Sequence, residues 1–171
     1  MMNKKEKKAL ISILGILIAA VLGYFGISFD GAGNGRENVS GRVARVIDGD
    51  TYDLLLDDNT TVRIRMDGID APERGQPHAQ RATDYLKELT ENQIISVSLK
   101  NKDRYGRIIS FSRLADGREL GAEMIKAGYA WHYKQYNNDR QLARLENEAR
   151  KARRGLWQDN DPIAPWDWRR Q

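Results

Sequence analysis

Gly41–Asp67 reads G-R-V-A-R-V-I-D-G-D-T-Y-D-L-L-L-D-D-N-T-T-V-R-I-R-M-D, and its punctuation decides the architecture. Three short runs rich in Val, Ile, Leu and Thr are separated by the turn formers D-G-D and D-D-N, the pattern of successive β-strands. In T-V-R-I-R-M, Val62, Ile64 and Met66 alternate with Arg63 and Arg65, so one strand face is apolar and the other cationic. Arg63 reads as part of a solvated face. Arg65 stands out because it adjoins the acidic turn that follows.

Downstream, Pro72 stops the third strand, and Pro77 to Thr90 is expected to be a helix with Ala79, Ala82, Leu86 and Leu89 on its apolar side. Q-I-I-S-V-S-L-K reads as a fourth strand, N-K-D-R-Y-G-R as a turn and I-I-S-F-S-R-L as a fifth. Two further helices are expected, Leu120–Ala127 with Gly128 as its left-handed cap and Asp139–Arg154 ending at Gly155. The basic run Arg150, Lys151, Arg153, Arg154 suits that helix's C-terminal dipole. Five short strands, one helix after the third and more after the fifth, predict an α+β domain. Its centre is a five-stranded OB-fold β-barrel with about three helices outside it. A Trp-rich tail closes the chain.

Upstream, residues 1–8 form a basic N-terminus, and the uncharged run Ala9–Phe29 follows. At about 1.5 Å per residue that run extends roughly 30 Å, the thickness of a bilayer core. It is expected to be a transmembrane signal anchor, with the lysines cytoplasmic and the domain outside. Cleavage as a signal peptide would instead release a secreted protein. Residues 30–40 read as a flexible Gly- and Asn-rich linker, and the folded domain is expected over 41–171. Of the formal charge of +4, residues 1–29 carry +3 through four Lys and one Glu, leaving +1 for the rest. Net charge is thus no argument for nucleic acid; its arrangement has to be. The chain has no Cys, which excludes a disulfide framework and a thiolate metal site.

The arrangement is concentrated in I-D-G-D-T (Ile47–Thr51) and R-M-D-G-I-D-A-P-E-R (Arg65–Arg74). Asp50 and Asp70, at the ends of separate strands, can converge on one cation, with the Ala71 carbonyl, held by Pro72, as a third ligand. Oxygen donors with open positions for water suit Ca²⁺. The chain's two histidines, His78 and His132, form no zinc pair. Glu73 is the candidate to orient or deprotonate an attacking water. Arg65 and Arg107 are candidate clamps on a phosphate whose charge grows in the transition state. Cation and guanidinium together are the equipment for phosphodiester cleavage.

V-I-D-G-D-T, R-M-D-G-I-D-A-P-E, D-R-Y-G-R and A-G-Y-A-W-H-Y, in this order and spacing, resemble the staphylococcal nuclease (thermonuclease) family over about Val43–Trp157. The resemblance implies an OB-fold with added helices and a Ca²⁺-dependent endonuclease cutting DNA and RNA to leave 3′-phosphates. By position it implies Asp50, Asp70 and the Ala71 carbonyl at the metal, Glu73 as general base, and Arg65 and Arg107 on the phosphate. It also implies Tyr136 beside the nucleotide and Lys134 where the family has a tyrosine. Tyr105, within D-R-Y-G-R, joins these as a substrate-binding candidate. A monomeric catalytic domain is expected, with no protein partner. Two other classes stay open on the residues alone: a non-catalytic OB module binding single strands, and a Ca²⁺-binding adhesion or signalling domain.

Overall fold

Alternation of apolar and polar residues builds the barrel. The computed structural model describes residues 38–171; the expected basic N-terminus, the membrane anchor and most of the linker lie outside the described residues. Strand β1 spans Asn38–Val46, β2 Thr51–Leu56, β3 Thr61–Met66, β5 Ile94–Lys102 and β6 Ile108–Arg113. They close in the order β1-β2-β3-β6-β5, antiparallel except for the parallel pair β3–β6. Tyr52, Leu54, Ile64, Met66, Ile95 and Val97 fill the interior, and the Tyr52 hydroxyl donates to Ser112 Oγ at 2.7 Å.

Strand β1 pairs with β2 through Gly41↔Leu56 and with β5 through Gly41↔Ile95. A Cβ on Gly41 would lie 2.2 Å from the Leu55 carbonyl oxygen, so only glycine permits that close approach. The strand begins at Asn38, within the stretch expected to be linker, because its first residues already pair with β5.

The third strand does not run on to Pro72. Gly68, at φ 77°, turns the chain after Met66. A separate two-residue strand, β4 (Ile69–Asp70), then pairs antiparallel with β7 (Trp131–His132). This small ladder was not foreseen, because two-residue strands carry no periodicity.

Four α-helices occur among the described residues: α1 Ala79–Thr90, α2 Leu120–Ala127, α3 Arg140–Lys151 and α4 Pro165–Trp168, with a 3-10 turn at Gly155–Gln158. The first starts later than expected, since His78 sits at φ 67° outside helical space. The third stops early, Arg153 being left-handed at φ 49°. Side chains cap α2 (Glu119 to the Gly121 and Ala122 amides) and α3 (Asp139 to Gln141 and Leu142). The short α4 is an addition to the expected set.

The end of α2 and the start of the C-terminal tail meet backbone to backbone. Leu156 N–H donates to the Gly128 carbonyl at 2.8 Å. A Cβ on Gly128 would fall 2.2 Å from Arg154 O, and one on Gly155 would fall 2.2 Å from Gly128 O. Beyond that point Trp131, Ala149, Leu156, Trp157 and Ala164 make a second apolar cluster, with Trp166 against it. The tail is therefore folded onto the domain as far as its last helix.

Candidate active site

The two acidic turns are brought together by a close backbone approach. Gly49 leaves no room for a side chain: a Cβ there would lie 2.7 Å from Ala71 Cβ and 2.8 Å from Ala82 Cβ. With Gly49 seated, Ala71 N–H donates to Asp50 Oδ2 at 2.8 Å, and Met66 N–H donates to the Asp50 carbonyl at 2.9 Å. Thr51 Oγ1 donates to Asp50 Oδ1 at 2.9 Å.

Arg65 bridges the pair. Its Nε lies 3.0 Å from Asp50 Oδ1 and its Nη2 3.0 Å from Asp70 Oδ1, while Asp50 and Asp70 are only 5% and 2% exposed. Two buried carboxylates on one guanidinium face a common space, and all their free donors are oxygen. The Ala71 peptide adjoins them through its bond to Asp50. This donor set fits a hard divalent cation, with Asp50, Asp70 and the Ala71 carbonyl as the residues able to hold it. Among the described residues no group of three His, Cys, Asp or Glu side chains is placed to hold a metal ion.

Parallel pairing of β3 with β6 adds the second arginine. Arg65 is opposite Ile109, and Arg107, two residues earlier, falls on the same side by strand alternation. Arg107 Nε donates to Asp103 Oδ2 at 2.7 Å, and its guanidinium lies 5.5 Å from the Tyr105 ring centroid. Glu73 follows Pro72 on a loop held by Glu73 N–H to Gln76 Oε1 (2.9 Å) and Gln76 Nε2–H to the Ile163 carbonyl (2.7 Å). All of these line one open cleft of about 860 Å³: Asp50, Arg65, Asp70, Ala71, Glu73 and Arg107, with the exposed rings of Tyr105 and Tyr136.

Burial dominates the electrostatics of the acidic groups on the cleft floor. Burial, then the neighbouring Asp50 charge, pushes the Asp48 carboxyl up to about 7. Burial also raises Asp70, against the lowering effect of its guanidinium partners. Asp67, which had no assigned role, is nearly buried and takes Lys100 Nζ at 3.0 Å.

One expected residue is elsewhere. Lys134 is not in the cleft lining; its ammonium donates to Glu146 Oε2 at 2.5 Å, and Glu146 lies on the buried face of α3. The side chain presented to the cleft is Tyr133, edge-on to Tyr136 at 4.8 Å and stacked on Trp166 at 5.2 Å and 3°. Counting along A-W-H-Y-K-Q-Y without a gap misplaces this contact, because pairing of β7 with β4 fixes which residues turn outward.

The larger omission from the sequence is Arg169. From α4 it reaches Asp70, with Nη2 2.8 Å from Oδ2 and Nη1 3.3 Å from Oδ1, and it also hydrogen-bonds Glu73 Oε1. Burial opposes its charge, but the bonds to Asp70 and Glu73 outweigh that and hold it firmly protonated. Its only sequence signal is an arginine pair in a Trp-rich tail.

A closed five-stranded barrel carrying an acid–guanidinium cleft defines a class of phosphodiester-handling enzymes, and the comparisons agree with it. Residues 63–159 match the model of the family described as staphylococcal nuclease homologue. An uncharacterized endonuclease of Escherichia coli is 46% identical over 77% of this chain and 86% of its own length. A protein of Shigella flexneri named micrococcal nuclease is 40% identical over 76% of this chain and 80% of its own length. A staphylococcal-like nuclease of Arabidopsis thaliana is 41% identical over 63% of this chain, but only 33% of its own length is covered. The chain belongs to the staphylococcal nuclease family, and it is a hydrolase, an endonuclease of that family.

Proposed function

We propose that the chain is a Ca²⁺-dependent endonuclease that hydrolyses DNA and RNA with low sequence preference, leaves 3′-phosphates and works outside the cytoplasmic membrane. The observation that carries the reading is the convergence of Asp50 and Asp70 on Arg65 in a cleft that Glu73 and Arg107 also line. Asp50, Asp70 and the Ala71 carbonyl would hold the Ca²⁺, which would supply positive charge to the reacting phosphate.

The chain's own groups do the rest. Arg65 turns from Asp70 to a nonbridging phosphate oxygen while keeping Asp50, and Arg107 takes another from the β6 side. Their hydrogen bonds strengthen as charge accumulates on the pentacovalent phosphorus, which lowers the barrier. Glu73 orients a water in line with the leaving 5′-oxygen and accepts its proton. Tyr133 and Tyr136 offer ring faces to a base, a contact indifferent to base identity. The open cleft admits a polynucleotide chain, and one chain carries every group named, which supports action as a monomer.

The apolar run at 9–29 behind K-K-E-K-K supports display at the membrane with the domain outside. The decisive experiment is nicking of supercoiled plasmid by residues 36–171 in Ca²⁺ and in EGTA, with analysis of the ends. Cleavage in Ca²⁺ alone that leaves phosphatase-sensitive 3′ ends is expected. Equal cleavage in both, or 5′-phosphate ends, would remove the proposal.

A further inference from the structure

The same tail that packs the second apolar cluster delivers a cation into the active site. It is fixed at several points: Leu156 N–H to the Gly128 carbonyl, Asp159 to His78 at 3.0 Å, Ile163 O to Gln76, and Trp166 on Tyr133. The α4 helix then ends with Arg169 N–H bonded to the Pro165 carbonyl at 3.0 Å. Arg169 is thus built into a folded strap, and its position is not that of a loose terminus. Its guanidinium spans both oxygens of Asp70 and one of Glu73, approaching from the open side of the cleft (41% exposed) while Asp70 is 2% exposed.

A divalent ion binds carboxylate oxygens at about 2.3–2.6 Å. An ion at Asp70 would therefore sit against the guanidinium that holds both Asp70 oxygens, where like charges repel and the same lone pairs are contested. Arg65 can turn from Asp70 to a phosphate and still keep Asp50. Arg169 has Asp70 and Glu73 as its carboxylate partners, the metal ligand and the base of the proposed reaction.

We propose that Arg169 is a built-in competitor of the metal: the C-terminal strap lays its guanidinium over Asp70 and Glu73, and ion entry requires its withdrawal. The inference rests on Asp50 and Asp70 being the metal carboxylates. The strap then sets the Ca²⁺ concentration at which the site becomes competent, and it keeps Glu73 occupied until that point.

Calorimetric titration of Ca²⁺ into the full chain tests this without a turnover assay. Arg169→Gln should bind Ca²⁺ about tenfold more tightly than the wild type, the scale of a lost two-pronged charge-assisted contact. Arg169→Lys, which keeps the charge but not the fork, should fall between them. Arg170→Gln, whose side chain pairs with Asp167 instead, should bind like the wild type. Unchanged or weaker Ca²⁺ binding by both Arg169 variants, with a wild-type circular dichroism spectrum, would overturn the competition and leave the metal site standing. Binding that is the same in Asp70→Asn as in the wild type would show the ion to be elsewhere, and both readings would fall.

Discussion

Ala71 N–H donates to Asp50 Oδ2 at 2.8 Å, a bond between residues 21 apart that joins the turn before β2 to the turn after β4. Through it one carboxylate is both a structural acceptor and a candidate ligand. The site and the local fold therefore share an atom.

Glu73→Gln and Arg107→Ala should each lower turnover at least about a hundredfold. Neither side chain is in the barrel interior, so thermal unfolding should stay near that of the wild type. Plasmid cleavage rates at saturating Ca²⁺, beside a melting curve, check the pair. Near-wild-type rates in both would exclude the roles assigned to them.

Lys134 and Tyr133 should separate stability from binding. Lys134→Ala leaves the buried Glu146 with Arg150 at 3.4 Å and the His132 amide at 3.3 Å. Because Lys134 is 59% exposed, the expected loss is only about 1–2 kcal/mol, with KM unchanged. Tyr133→Ala should raise KM for single-stranded substrate several-fold, since stacking is worth about 1–3 kcal/mol per base. The opposite assignment would appear as a KM effect at Lys134.

Alkaline stability should report Tyr52. Burial pushes its phenol well above the ordinary range, outweighing the lowering by its Ser112 hydrogen bond. The folded pKa thus exceeds the unfolded value of about 10. Stability from this group is intact below pH about 10 and is lost above it, at about 1.4 kcal/mol per pH unit. Tyr52→Phe should cost about 1 kcal/mol at pH 7 through the lost hydrogen bond and show a shallower decline above pH 10. Denaturant titrations at pH 7 and 10.5 give both numbers. Equal declines in the two proteins would locate the alkaline transition elsewhere.

Gly128→Ala should detach the strap. At φ 77° an L-residue is strained, and the new Cβ would lie 2.2 Å from Arg154 O. A loss of more than about 2 kcal/mol is expected, with faster proteolysis between residues 155 and 171. A melting temperature within a degree or two of the wild type would show that the backbone contact is dispensable.

Much of this molecule could be read from residue order because the relevant forces are local. Alternation at Thr61–Met66 and Ile95–Leu99 marks strands, and Asp50, Arg65, Asp70 and Glu73 lie at strand ends or within a few residues of them. Leu120–Ala127 falls where its apolar spacing and Gly128 put it. The ends of α1 and α3 moved where single residues, His78 and Arg153, adopt left-handed conformations that no hydrophobic period reports.

What the sequence by itself determined is the barrel, its acidic turns and the family to which they belong, since turn chemistry and alternation act over two to ten residues. Tertiary structure alone decided that Tyr133 rather than Lys134 faces the cleft, because a two-strand ladder between distant segments sets that orientation. It alone decided that Arg169 meets Asp70, 99 residues away. That meeting depends on the path of the tail, which is fixed by the Gly128–Gly155 contact and by tryptophans packing on one another. Such forces follow from shape and proximity after folding, and no local pattern encodes them.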